Sequence, residues 1–179
     1  MRSAHVVVVG GGPAGLSAAI AAARAGAHTV LLDEQPDMGG QLRYRIAELP
    51  AGPYGAIRAH DLARRLVHDA EAAEVEMHTR ATVWGLFAAR TLAVVAENAS
   101  YQLQGERVIL ATGSTDRPQP FAGGTLPGVF SARAVQILLN VHRVLPGRHF
   151  VVVGDSVEAA EVAEDIIQAG GVVVARVET

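Results

Sequence analysis

Short apolar runs alternate along the chain with alanine-rich or amphipathic stretches, and the period of each stretch decides its form. Val6–Val9 is β-branched, unbroken and bounded by glycine, the pattern of a strand buried on both faces of a parallel sheet. Residues 14–25 are rich in alanine, with Leu16 and Ile20 at helical spacing and Gly26 as a stop, which predicts a tightly packed helix. Thr29–Leu32 then reads as a second buried strand, closing a βαβ unit. Gln35–Pro53 holds three prolines and three glycines without a period and reads as a long loop, a kind of segment that tends to be functional. From Tyr54 to Ala73, Leu62, Leu66 and Ala70 recur every fourth position beside Ala63 and Val67, the stripe of an amphipathic helix. Val75–His78 is the expected third parallel strand. Thr82–Phe87, Thr91–Glu97 and Ser100–Gln104 form an antiparallel meander, and Arg107–Ala111 returns as a buried strand ending at Thr112 and Gly113.

Three prolines and three glycines between Thr115 and Gly128 mark a linker, placed at 117–130 between a segment 1–116 and a unit 131–179. In that unit Ala132–Asn140 reads as a helix capped by Ser131, Phe150–Val153 as a strand, Glu158–Ala169 as a helix and Val172–Val177 as a strand. The pattern predicts an α/β fold with a parallel sheet, crossover helices and a β-meander, followed by the start of a second nucleotide-binding unit. An apolar stretch from Ala4 to Ala23 follows Arg2, but glycines and Pro13 break its middle. That suits a strand-to-helix turn and not a membrane span, so a cytoplasmic chain without membrane insertion is expected.

Composition removes several chemistries. The 179 residues are 50% hydrophobic, with 15 basic and 18 acidic side chains and a net charge of -3. This balance shows neither a nucleic-acid footprint nor a polybasic membrane patch. There is no cysteine, which excludes thiol redox chemistry and cysteine-held metals in this chain. All 15 basic residues are arginine, which excludes a lysine Schiff base and a Walker lysine. The seven histidines contain no i, i+4 pair, so no helical metal site is specified. Trp84 reads as a filler of the meander, and no nucleophile elbow is present.

The chemistry-bearing signal is Gly10-x-Gly12-x-x-Gly15, placed after a strand and opening a helix, with an acidic residue, Asp33, at the end of the next strand. Gly10 permits the tight turn, Gly12 lets a pyrophosphate approach the backbone, and Gly15 lets helix and strand pack closely. Pro13 suits the first helical turn, where Ala14 follows it, and the helix N-terminus favours a diphosphate. Asp33 lies 23 positions after Gly10, near the spacing of a carboxylate that binds a ribose, and Glu34 beside it is the second candidate.

The runs VVVVGGGPAGLSAAIAAARAGAHTVLLDEQP, MGGQL, RVILATGS and FAGGTLPGVFSA resemble the flavoprotein fold with two dinucleotide domains, that of glutathione and thioredoxin reductases. Within it the chain is most similar to the flavin subunits of hydrogen cyanide synthase, opine oxidase and hydroxyproline dehydrogenase, and to part of the sarcosine oxidase alpha subunit. The resemblance implies a Rossmann-like FAD-binding domain and the start of a Rossmann-like NAD-type domain. It implies FAD diphosphate at Gly10–Gly15, adenosine ribose at Asp33, and Gly40 and Gln41 along the flavin side. It also places Ala111, Thr112 and Gly113 close to the cofactor and the Val83 backbone at the adenine. Without the resemblance, Gly39, Gly40 and Gln41 read as loop-shaping residues.

Arg43 and Arg45 are spaced to project on one side of an extended loop, either to hold a substrate carboxylate or as solvated surface. The second glycine region, Gly154–Ala159, has Ser156 and Ala159 where the fingerprint needs glycine. Asp155 and Glu158 there would repel a diphosphate and read as a capping box, so NAD(P) is only weakly implied, even with Glu178 at the following strand end. The resemblance also says that a C-terminal segment completes such FAD domains, so a truncated or split member, a partner chain that supplies the rest, or a remnant is expected. The reading is an FAD-dependent oxidoreductase subunit of an amine or amino-acid dehydrogenase or oxidase complex, oxidising a C–N bond and passing electrons to partner subunits. A silent dinucleotide-binding scaffold and an NAD(P)H-dependent flavin reductase are the alternatives.

Overall fold

The computed structural model describes residues 2–178 apart from Asn98, Pro118 and Gln119. The last two fall within the expected linker and lie outside the described residues. The chain divides into two compact units, Met1–Arg43 with Leu49–Gly113, and Tyr44–Glu48 with Ser114–Thr179.

In chain order the first unit carries β1 (Arg2–Val9), α1 (Pro13–Arg24), β2 (Thr29–Leu32), a 3-10 turn at Gly40–Arg43, β3 (Glu48–Gly52) and β4 (Gly55–Arg58). There follow α2 (Ala59–Ala72), β5 (Glu76–His78), β6 (Thr82–Phe87), β7 (Thr91–Ala96) and β8 (Ala99–Leu110). Six strands form one sheet in the order β5-β2-β1-β8-β7-β6. β5, β2, β1 and β8 are parallel, whereas β8, β7 and β6 are antiparallel. The valine run explains the central place of β1: Val7 pairs with Val30 and Val108, and Val8 with Leu31 and Ile109. Successive side chains leave on opposite faces. Val7, Val30 and Leu32 join Leu92, Val94 and Leu103 in one core, while Val8 and Leu31 join Leu16, Ile20, Leu66 and Ala70 of the helices in the other.

Two elements differ from the sequence expectation. The 35–53 loop contains structure, because β3 and β4 form a hairpin and the helix begins only at Ala59. Gly55, at φ +74, turns the chain there, and Tyr54 stays beside α2 instead of entering it, its hydroxyl donating to Asp69 Oδ2 at 3.2 Å. The expected strands 100–104 and 107–111 are one strand, β8, which serves the meander with its first half and β1 with its second. Gly105 is not a break. A Cβ there would lie 2.8 Å from the Arg107 carbonyl oxygen and 3.1 Å from Val7 Cγ2, so glycine permits the close approach of β8 to β1.

The second unit carries α3 (Ala132–Gln136), which continues as a π-helical turn at Ile137–Val141, then β9 (His149–Val153), α4 (Val157–Gln168) and β10 (Val172–Val177). β9 and β10 pair in parallel around α4, and Val152, Val162, Ala163 and Ile166 form the core with Val135 and Leu139. Ser131 caps α3 as expected, its Oγ accepting from Ala134 N at 3.3 Å. The capping box assigned to Asp155 and Glu158 is corrected: Ser156 is the cap, and its Oγ accepts from Ala159 N at 3.2 Å. A hydroxyl one residue later reaches the free amide without adding charge. Among the described residues no helix is long and apolar enough to cross a membrane, and no group of acidic and histidine side chains has the arrangement of a metal site.

At the outer edge of the parallel strands, Glu76 lies between two imidazoles, with His78 Nε2 at 2.8 Å and His28 Nε2 at 3.1 Å. The hydrogen bond from His78, and after it the one from His28, holds the Glu76 carboxyl below its ordinary value against the opposing effect of burial. A depressed carboxylate stabilises the fold above its unfolded pKa, and that stability is lost as pH falls through the folded value. Glu76→Gln is therefore expected to be less stable than the parent at neutral pH and to converge with it as acid protonates the depressed carboxylate. Urea denaturation across pH checks this, and a constant difference between the two proteins would contradict it.

Candidate functional site

β1 ends and α1 begins on a run of glycines that the structure separates by task. Gly10 has φ +106, and a Cβ there would lie 2.7 Å from the Ala111 carbonyl carbon and 3.1 Å from Thr112 N. A Cβ on Gly15 would run into the Gly10 carbonyl, and one on Gly11 would meet Met38 Sδ and approach Asp33 Oδ2 to 3.0 Å. These three glycines are required by the packing of the chain itself. Gly12 is not. Its φ is -75, open to any residue, and a Cβ there would have a single neighbour within 4 Å, Gly40 Cα at 3.9 Å.

The turn is held from three sides. Ala111 N donates to Val9 O at 2.8 Å, which brings the Ala111–Gly113 end of β8 against Gly10. Gly10 N donates to Leu32 O at 2.8 Å, and Gly39 N donates to Gly11 O at 2.7 Å. The last contact lays the Met38–Gly40 loop over the turn so closely that a Cβ on Gly40 would lie 2.8 Å from Gly12 Cα. Gly40 is thus brought to Gly12, and the half-buried Gln41 follows it in the 3-10 turn.

The N-terminus of α1 is open. Gly12 is its N-cap and has no side chain to accept from the first amides, Pro13 opens the helix, and its first turn holds no acidic residue. Ala14 is exposed there. By contrast α3 and α4 are closed by the Ser131 and Ser156 hydroxyls. An uncapped helix N-terminus beside a glycine with space above it presents N–H donors and a partial positive charge to an anion.

Asp33 stands at the end of β2 with both oxygens engaged. Oδ2 accepts from Gly11 N, and Oδ1 accepts from Gln35 N at 2.7 Å. Each carboxylate oxygen has a second lone pair, so the group can shape the turn and still accept from a hydroxyl. Sequence reading missed the bond to Gly11, which no local pattern encodes. Glu34 is exposed, within 3.5 Å of the Gln35 amide. Ala81 N donates to Asp33 O at 2.9 Å and Arg80 N to Gln35 O at 3.0 Å, which draws the start of β6, and with it Val83, toward Asp33.

Each of the two arginines has an acidic partner of its own. Arg43, in the first unit, pairs with Asp37 Oδ2 at 2.5 Å, whereas Arg45, in the second, pairs with Glu161. Arg43 lines a cleft of about 570 Å³ with Met38, His60, Arg64, Val67 and Met77, and none of Gly10–Gly15 borders it.

Known proteins resemble this chain in sequence and fold. The chain is 32% identical to an opine oxidase subunit of Agrobacterium tumefaciens over 92% of its length and 35% of that protein. It is 35% identical to the alpha subunit of sarcosine oxidase from a Corynebacterium species over 94% of its length and 19% of that protein. The crystal structure of L-proline dehydrogenase from P. horikoshii superposes with a TM-score of 0.83 at 25% identity, covering 98% of this chain and 35% of that one. The chain therefore spans about a third, or less, of the relatives it matches. Residues 4–179 match the family model described as pyridine nucleotide-disulphide oxidoreductase, and the chain belongs to that family of FAD-dependent oxidoreductases.

Proposed function

We propose that residues 1–116 bind FAD through the turn Gly10–Gly15, and that the chain is the flavin-bearing part of a complex that oxidises the C–N bond of an amine or amino acid. The observation that carries the reading is Gly12: the chain's own packing leaves its Cβ position empty, and a diphosphate approaching the open end of α1 is what would need that space. Gly12, Pro13, Ala14 and Gly15 would take the diphosphate, Asp33 the ribose, Val83 the adenine edge, and Gly40, Gln41 and Ala111–Gly113 the remaining length of the cofactor. FAD, when bound, supplies the hydride acceptor; the residues here bind and orient it.

The names of the relatives support the substrate class. Sarcosine and proline are both amino acids whose nitrogen carries a second carbon, and the opine and sarcosine oxidase chains are named as subunits. With no cysteine in this chain to accept them, electrons would leave the flavin for an external acceptor or a partner subunit. An NAD(P)H-dependent reductase is disfavoured by the second turn, where Ser156 occupies the helix cap and Glu158 the first turn of α4.

Three outcomes are expected. Gly12→Val removes FAD binding while leaving thermal stability near that of the parent, whereas Gly15→Ala destabilises the fold, because its Cβ meets the Gly10 carbonyl. Flavin fluorescence titration alongside calorimetric melting separates the two, and unchanged affinity in Gly12→Val would overturn the site. Asp33→Asn turns an amide group toward one of two backbone donors and loses about 1.5–3 kcal/mol of binding, while Glu34→Gln stays near the parent; the reverse order would move the ribose to Glu34. The chain loaded with FAD passes electrons to a dye in the presence of an amine donor faster than to a disulfide, and binds NADH weakly. Low-micromolar NADH affinity would favour the reductase reading.

A further inference from the structure

The chain enters the second unit for five residues only, Tyr44–Glu48, before returning to the first. Those residues follow directly on the Gly40–Arg43 turn. Inside the second unit they are met by polar side chains that a helix–strand core has no need of. Asn140 Nδ2 donates to Tyr44 O at 2.7 Å and to Asp165 Oδ2 at 3.0 Å, which uses both of its hydrogens. Asn140 sits in the π-helical turn, and the wider turn there sets its position apart from a regular continuation of α3. Asp165 is 6% exposed and also accepts from Gln136 Nε2 at 3.2 Å. Four residues before Asp165, on the same face of α4, Glu161 pairs with Arg45. That pair is the weaker hold: Arg45 Nε and Glu161 Oε2 are buried without a hydrogen-bond partner among the described residues. Asn140 bonds the strap's backbone at Tyr44 and is itself fixed by a buried carboxylate.

We infer that Asn140 is a positioning residue for the FAD site, anchoring the strap at Tyr44 and thereby fixing the exit of the turn that carries Gly40 and Gln41. The inference rests on the FAD reading for its consequence, but the anchoring is a separate claim. Gln136 supplies the control, because it bonds the same Asp165 oxygen without reaching the strap.

The test compares Asn140→Leu with Gln136→Leu in the full chain. Both remove one amide donor from Asp165 and both lower the melting temperature. Only Asn140→Leu is expected to weaken FAD binding, by about tenfold in Kd, and to speed amide hydrogen exchange across Gly40–Arg43; Gln136→Leu stays within about twofold of the parent. Should Asn140→Leu fail to fold, Asn140→Ser, too short to reach Tyr44 O, takes its place with the same expectation. Unchanged FAD affinity and exchange in the Asn140 variant, or equal changes in both variants, would overturn the inference. If the parent binds no FAD, the proposed function fails, and exchange across Gly40–Arg43 alone decides the anchor.

Discussion

Everything in the first unit is arranged around a place where four stretches of backbone meet without side chains between them. The end of β1, the start of α1, the end of β8 and the Met38–Gly40 loop converge on Gly10–Gly15, and a Cβ on Gly10, Gly11, Gly15 or Gly40 would overlap a neighbour. Such contact forces the strand to stop, the helix to start and the loop to fold back within a few ångströms. It also leaves one position, Gly12, where the same scarcity of side chains serves no contact in the chain. Contacts within the chain account for its neighbours in the turn, and a diphosphate at the open end of α1 is the proposed occupant of this position.

The distribution of charge and caps follows the same division. Elsewhere a helix N-terminus carries a serine hydroxyl, Ser131 in α3 and Ser156 in α4, or, in α2, whose N-cap Arg58 makes no side-chain bond, an acidic first-turn residue, Asp61. Where it faces the open position at Gly12, neither a hydroxyl nor a carboxylate is offered. The carboxylate nearest the turn, Asp33, is tied to Gly11 N and Gln35 N and so sits beside the open amides without covering them. In α4 the acidic residues divide by face: Glu158 and Glu164 are exposed, while Glu161 and Asp165 turn inward to the strap and the π-helical turn.

Much of this was legible in the sequence because it depends on short-range pattern. The valine run, the alanine-rich helix, the glycine spacing and the terminal Asp33 identify the βαβ unit, and the meander is visible in its alternating residues. Other features depend on contacts between distant residues and have no local trace. Gly105 reads as a break until β1 is seen against it. The β3–β4 hairpin hides among prolines and glycines that mark loops equally well. The separate partners of Arg43 and Arg45, Asp37 and Glu161, and the bond from Asn140 to Asp165 have no trace in local spacing either.

The central claim is that the empty Cβ position of Gly12 is the seat of a dinucleotide diphosphate. A crystal structure of the chain grown with FAD tests it most directly. The account predicts the diphosphate over Gly12 at the N-terminus of α1, accepting from the amides of its first turn, with a ribose hydroxyl on Asp33. Density for FAD elsewhere on the chain, or a saturating concentration of FAD that leaves this turn unoccupied, would contradict it.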